Sequence, residues 1–464
     1  MNAPLIWIGL PIFLAVILSF IPRPRLISRL SGVFALTLAG LAWIVPIDDV
    51  LSIGTISIKI TSVFQFLGRQ LVLGAPSRSV LVVFYGLSGL WFLGSNAAGV
   101  SRRLVPAGMA ITALLIGALA VKPFLYAALF IETAILLAAP ILIAPRQPAG
   151  RGVIRFVTYQ TLAMPFILFA GWLLAGVETS PSDLALAKQS AALLGLGFAF
   201  LLAIFPLSTW MPMLSEEAPP YIFGFLQWIL PTTSLIFGLG FFDRYAWLRQ
   251  AELLPQVLRM AGFLMLITGG IWAAFEKRLE RILAYTSITE TGCVLLALSL
   301  GMDKTQLIFL FFVPRSFGLA VWTLGLSTIK DQVKSLDFIA VQGLARRYPL
   351  AVSAILAAQF SACGIPLLAG FPPRLALWET LAETSLIAAL WFGIGLLGIF
   401  LGAVRSLTAL VTSVELTYWQ SQEDWSQRLL LGAGIAMLFL LGLLPQIIQP
   451  LLVTFPSMFE QLSG

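Results

Sequence analysis

Long apolar runs alternate with short polar segments along this whole chain. A helix needs roughly 20 apolar residues to cross a bilayer. By that window the sequence predicts an all-α polytopic protein with about fourteen spans. They lie near 4–21, 31–46, 79–98, 104–121, 123–144, 154–176, 190–205, 221–242, 257–275, 282–301, 306–328, 350–383, 385–411 and 428–447. Two of these spans are interrupted. Residues 205–220 carry Pro206, Pro212, Pro219 and Pro220 with the acidic pair Glu216 and Glu217, and read as a wet, Pro-broken stretch between two apolar runs. Residues 363–374 carry Gly364, Pro366, Gly370 and Pro372. Backbone groups freed in hydrocarbon cost several kcal/mol each unless protein or water satisfies them. Helices broken in this way line ion paths or binding sites. The plainer alternative at each place is an ordinary Pro-containing loop.

Between the spans, two segments have patterns of their own. Ser52 to Ile60 alternates apolar and polar with period two, which predicts a short hairpin on the outer surface. Residues 411–427, with Tyr418, Trp419, Gln420, Glu423, Asp424 and Trp425, read as an amphipathic inner-surface stretch. The order of spans divides the chain into 1–103, two candidate five-helix repeats at 104–242 and 257–411, and 412–464. The repeats are expected to be inverted relative to each other, with spans seven and twelve discontinuous.

Composition strengthens the membrane reading. Hydrophobic residues make up 59% of the 464 residues and charged residues 11%, with a mean hydropathy of +0.96. A soluble protein of this size cannot hide so much apolar surface. The first run has no basic segment before it and no small-residue cleavage site after it, so it reads as a retained span. The net charge of +7 gives topology, not nucleic-acid affinity, because no aromatic-interleaved basic patch occurs. Arg23, Arg25 and Arg29 follow span one, and Arg102 and Arg103 follow span three. Arg146, Arg151 and Arg155 follow span five. Lys277, Arg278 and Arg281 follow span nine, and Lys330, Lys334, Arg346 and Arg347 follow span eleven. The positive-inside rule puts these loops in the cytoplasm and both termini outside. Cys293 and Cys363 lack metal-ligand spacing, and the chain contains no histidine. That composition excludes His-ligated haem or zinc and a His base. No Gly-rich phosphate loop follows a strand pattern, so no cofactor is expected in this chain.

Ionisable groups at bilayer depth are costly and are functional candidates by default. Glu132 lies in mid-span with no charge near it in sequence. The alternatives are a neutral carboxyl or one that snorkels. Glu290 lies about two turns past Arg281, in the polar run Thr286, Ser287, Thr289 and Thr291, which suits bound water. The alternative is a structural pair with an arginine on a neighbouring helix. Arg315 follows Pro314 inside its span, and Arg374 follows the second break with Glu379 and Glu383 loosely on its face. A buried arginine stays charged and must meet a carboxylate, carbonyls or water. Arg374 is thus a candidate both for the ion path and for pinning the broken helix.

These residues carry a family resemblance. Phe205 to Pro212 with Glu217-Ala218-Pro219 resembles the broken seventh helix of antiporter-like membrane subunits. Such subunits occur in respiratory complex I, multisubunit sodium/proton antiporters and membrane-bound hydrogenases. Arg281 to Ser287 with Gly292 resembles the start of the family's tenth helix. Gly364-Ile365-Pro366 with Gly370-Phe371 and Arg374 resembles its broken twelfth. Glu132 falls where the family places its helix-five glutamate. The resemblance runs from about 80 to 445, and the short remainder resembles subunits without a lateral helix.

There are departures. The helix-seven lysine of the family falls on Leu201, and its helix-eight basic positions fall on Gln227 and Thr232. Arg374 replaces the usual lysine or glutamate, and Glu290 stands where His or Gln is common. The resemblance implies a non-redox, proton-translocating subunit of an NADH- or ferredoxin–quinone type oxidoreductase or an antiporter assembly. Redox centres would belong to partner chains. Partner membrane subunits, the lipid bilayer and protons or sodium ions are its expected companions, in a bacterial or archaeal cytoplasmic membrane or a derived energy-transducing one. Two readings compete with conduction: a structural coupling subunit in the same slot, and a stand-alone secondary transporter.

Overall fold

The computed structural model describes all residues except 1, 54–55, 67, 144–147, 180–183, 302–303, 334, 413–420, 460 and 462–464. Arg146, Lys334, Tyr418, Trp419 and Gln420, named above, lie outside the described residues. The chain enters through a π turn at Leu5–Gly9 into α1 (Leu10–Ser19), followed by α2 (Pro24–Ile44) and α3 (Arg78–Gly94). Next come α4 (Ser101–Ala120), α5 (Ala127–Leu142), α6 (Arg151–Thr179), α7 (Leu184–Leu201), α8 (Trp210–Glu217) and α9 (Pro220–Arg244). A one-turn α10 (Ala246–Arg249) leads to α11 (Leu253–Phe275), α12 (Leu279–Leu298), α13 (Gln306–Leu310) and α14 (Phe312–Lys330). The last are α15 (Pro349–Cys363), α16 (Phe371–Thr384), α17 (Leu386–Val411), α18 (Trp425–Leu443) and a short α19 (Gln449–Thr454).

Among the described residues, eleven helices are long and apolar enough to cross a membrane. Three apolar helices fall short of that length, Leu5–Ser19, Ala185–Leu201 and Pro349–Cys363. The last two are short because the chain breaks them, at the places where Pro and Gly interrupt the sequence. Within 101–244 and again within 253–411, the fourth apolar helix is the broken one.

Two small sheets qualify the all-α expectation. β1 (Val50–Ile53) pairs antiparallel with β2 (Ile56–Lys59), Val50 opposite Lys59, so the alternating stretch does form a hairpin. A second hairpin, β3 (Val63–Phe66) with β4 (Arg69–Val72), continues onto β5 (Val121–Lys122) at the end of α4. Gly68 supplies the positive φ of its turn, at +73°.

Burial places the centre of the bundle. For the most apolar window of each helix, 94% of α9 and 89% of α12 is buried, against 17% of α18. α11 and α17 turn Leu264, Ile271, Leu390, Ile394, Leu397 and Leu401 outward, as lipid- or partner-facing helices do. They cross closely because glycines meet there: a Cβ at Gly270 would collide with the backbone of Gly395. In the segment 421–424, Ser421, Gln422 and Asp424 are exposed and only Glu423 turns inward. Glu423 is buried and accepts from the Ala351 amide at 2.9 Å, satisfying an orphan donor at the start of α15. Asp424 and Gln427 form a capping box on α18.

Candidate functional site

Both interruptions are built from local chain chemistry. α7 ends in a Schellman motif: Ile204 N donates to Ala199 O at 2.9 Å and Ala203 N to Phe200 O at 3.2 Å. Ala203 sits at the left-handed position with φ +51°. α15 ends the same way, with Ile365 N to Phe360 O at 3.1 Å, Gly364 N to Ser361 O at 3.0 Å, and Gly364 at φ +79°. Pro206 follows the first motif and Pro366 the second, and neither can continue a helix. The chain restarts at Gly370, the N-cap of α16, with Pro372 in the first turn, where its missing N–H costs nothing. Pro212 occupies the corresponding early place in α8.

The wet segment expected at 205–220 is narrower than its composition suggested. Residues 210–217 are helical, and Trp210, Met211 and Leu214 are buried. Trp210 packs its ring 5.1 Å from that of Phe156 on α6. Only the acidic end reaches polar surroundings. Glu217 accepts from the Gly152 and Val153 amides at the start of α6, at 2.9 and 3.1 Å. Glu216 pairs with Arg278 at 3.0 Å and with Arg281, tying the first broken helix to the start of α12.

At the second break the structure gathers three of the four intramembrane charges named from sequence. Arg374 Nη2 lies 3.1 Å from Glu290 Oε1, and Arg315 Nε lies 3.6 Å from Glu290 Oε2. Arg315 Nη2 also donates to Thr291 Oγ1 at 3.1 Å and to Ser287 O at 3.5 Å. Arg374 Nη1 donates to Gly370 O at 3.0 Å, so it pins the broken helix as well as pairing with the acid. Each residue of this triad is under 10% exposed. Glu379 and Glu383, on the same helix as Arg374, face outward and take no part.

The glycines of the break form the socket for Arg374. A Cβ at Gly364 would lie 2.9 Å from its Cδ, and one at Gly370 would lie 2.6 Å from its Nη1 and collide with Ser361 O. The Ser361 hydroxyl accepts from the Gly370 amide at 2.9 Å, and the Phe311 ring stands 5.9 Å from the guanidinium. A small cavity with room for about one water-sized molecule or ion lies alongside, its polar wall made by Thr286, Glu290, Ser361 and Arg374 and its apolar wall by Pro314, Leu319, Trp322 and Ala358.

Glu132 is not part of this cluster. The buried residues of α5 are Ala127, Ala128, Ile131, Ala134, Ile135, Ala138, Ile141 and Leu142, a helical stripe. Glu132 lies one step around from that stripe and is half-buried, with Leu129, Thr133 and Leu136 exposed beside it. It has neither a hydrogen bond nor an ion pair with any described residue. The break after α7 instead borders a second cavity of similar size, walled by Gln160, Leu201, Trp210, Gln227 and Thr291. Gln160 was not foreseen. Its amide donates to Phe200 O at 3.3 Å, which also accepts from Ala203 N, and to Leu201 O at 3.2 Å, a carbonyl that the break frees. The only sequence signal was its place in the polar run Thr158 to Thr161 of an otherwise apolar helix. Thr291 walls this cavity and also accepts from Arg315 of the triad.

A polytopic helical membrane protein with two interrupted helices and a buried charge cluster belongs to the class in which such breaks mark ion and transport sites. Residues 184–402 match the family described as NADH:quinone oxidoreductase/Mrp antiporter, TM. Among curated relatives, NADH-quinone oxidoreductase subunit 14 of Thermus thermophilus is 27% identical over 324 residues, 65% of this chain and 70% of that one. The fold matches a chain in the structure of the Mrp complex from Dietzia sp. DQ12-45-1b, with a TM-score of 0.80, 17% identity and coverage of 100% and 99%. It matches a chain of respiratory complex I from Thermus thermophilus at 0.75, with 19% identity and coverage of 99% and 100%. The chain is thus similar, in sequence over 184–402 and in fold over nearly its whole length, to antiporter-like membrane subunits of the complex I and Mrp type. Among the described residues no group of three or more His, Cys, Asp and Glu side chains is placed to hold a metal ion.

Proposed function

We propose that this chain is a proton-translocating, antiporter-like subunit of a complex I-type or antiporter-type assembly, working beside other membrane subunits on protons or sodium ions. The observation that carries the proposal is the buried Arg315–Glu290–Arg374 triad at the second helix break, next to a small cavity. Arginine gives up its proton too reluctantly to serve as a relay. In this reading Glu290 is the exchanging group, and the guanidiniums set the local potential and order water. Glu132 is the matching carboxylate of the first half, reached from the face that a neighbouring subunit covers. The proposal includes about fourteen crossings, counting each broken pair as one, and inverted repeats over 104–242 and 257–411. The recurrence of the broken fourth helix in both supports the repeats.

One observation favours a second reading. The cavity at the α7 break is walled by Leu201 and Gln227, with no cation to pair with Glu132. Under that reading the first half couples and supports without conducting. Proton movement in vesicles carrying the assembly separates the two, using Glu132→Gln and Glu290→Gln. Conduction through both halves requires each variant to lose proton movement with the assembly intact. Loss with Glu290→Gln alone assigns the first half to coupling. Normal movement in both variants refutes ion passage at these carboxylates.

A further inference from the structure

We infer that the cavity beside the triad is a binding site for one small inorganic anion of halide size. Two guanidiniums share one carboxylate there, so with Glu290 ionised the triad carries one uncompensated positive charge in the membrane interior. Burying an unbalanced charge is heavily unfavourable, and a structure that holds one needs a counter-charge. The nearby acids do not supply it, because Glu379 and Glu383 face outward.

The donors around the cavity point to the same ligand. In the polar run of α12, Ser287, Thr289 and Thr291 return their hydroxyls to the carbonyls of Leu283, Tyr285 and Ser287. Thr286 does not. Its hydroxyl and the Trp322 indole nitrogen both belong to residues 2% exposed, both border the cavity, and neither has a partner among the described residues. Arg374 Nε is likewise without one. Buried polar groups are paired in nearly all proteins, and these three are all donors. A water molecule would accept from two of them and leave the charge unbalanced. A halide ion accepts from all three and neutralises it. The Gly318 side of the wall leaves room, since a Cβ built there meets no atom within 4 Å.

This inference does not depend on ion conduction, and its test separates the two. The intact purified assembly is titrated with radiolabelled chloride, with gluconate holding the ionic strength constant. The expected result is a saturable site, one per copy of this chain, displaced by bromide. Replacing the free donors, Thr286→Val with Trp322→Phe, weakens that site by roughly tenfold or more. Glu290→Gln tightens it by a similar factor, because the cluster then carries two positive charges. Bromide-soaked crystals of the unaltered assembly show an anomalous peak beside Thr286 and Trp322, a readout that needs no variant. An ordered water without anomalous signal in the cavity overturns the assignment. So does chloride binding that neither variant changes. Proton movement measured on the same preparations reports separately on conduction.

Discussion

Glu290→Gln is expected to destabilise the chain far more than Arg315→Met, although both remove one member of the same triad. The asymmetry follows from counting charge. With Glu290 gone, Arg315 and Arg374, each 4% exposed, keep two buried cations with no carboxylate. Stranding a buried charge by removing its partner costs about 3–5 kcal/mol. Arg315→Met leaves the Glu290–Arg374 pair at 3.1 Å and brings the cluster to neutrality. Its losses are a 3.6 Å contact to Glu290, a bond to Thr291 Oγ1 and a long one to Ser287 O. Its gain is relief from burying a second cation, so the net change should lie within about 1 kcal/mol. The chain carries its own reporters, since Cys293 and Cys363 are its two cysteines and both are buried free thiols, one in α12 and one at the end of α15. A thiol-reactive fluorophore added to the purified chain in detergent during a temperature ramp reads the opening of this region. The midpoint should fall by roughly 3–5 °C for Glu290→Gln and by no more than about 1 °C for Arg315→Met. An Arg315→Met midpoint as low as that of Glu290→Gln would refute the charge count.

Ala203→Gly should raise stability by about 1 kcal/mol in the same assay, because Ala203 holds the left-handed position of the α7 cap with a Cβ; an unchanged or lowered midpoint would contradict that cap. Gly370→Ala should displace Arg374 from its socket and abolish proton movement, and a wild-type vesicle signal would show that the socket tolerates the methyl group. Glu216→Gln removes the link from α8 to Arg278 and Arg281, whose side chains are 43% and 36% exposed. Glu216 holds the Arg278 guanidinium above its usual range, yet exposed pairs are weak, so this variant should cost under about 1 kcal/mol. Its difference from wild type should shrink as salt rises, and a difference that persists in molar salt would mean the contact is not mainly ionic.

Much of this layout is written in the chain as punctuation. Pro206, Gly364, Pro366, Gly370 and Pro372 interrupt apolar runs, and each sits at a cap or restart where only such residues fit easily. The hairpin of β1 and β2 shows as period two. The triad was harder to read. Glu290, Arg315 and Arg374 were each visible as a charge in an apolar run, but they stand on α12, α14 and α16, and sequence spacing within one helix does not register three helices against each other. The neighbours that spacing did suggest for Arg374, Glu379 and Glu383, lie on its outer side. Glu132 stands outside the triad for a smaller reason. It lies one residue from Ile131, which is buried, and one residue turns the side chain about 100° around the helix axis. Gln160 left almost no trace, because an amide in a polar run does not announce that its partners are two carbonyls at a break some forty residues later.

The two breaks use the same backbone device with different side chains, and this bears on what the two halves do. Each broken helix closes two of its last carbonyls by a Schellman motif, which needs no charged side chain. A charge at such a place is therefore free to be kept or lost without losing the fold. At the second break Arg374 of α16 is held by two glycines, a carbonyl and Glu290. At the first break Leu201 borders the cavity, and the neutral amide of Gln160 donates to its carbonyl. α12 stands between them, offering Glu290 to one cavity and Thr291 to the other. Thr291, which walls the cavity at the first break, has a hydroxyl that accepts from Arg315 and donates to Ser287 O. Thr291 is thus shared between the hydrogen bonds of the triad and the wall of the cavity at the first break.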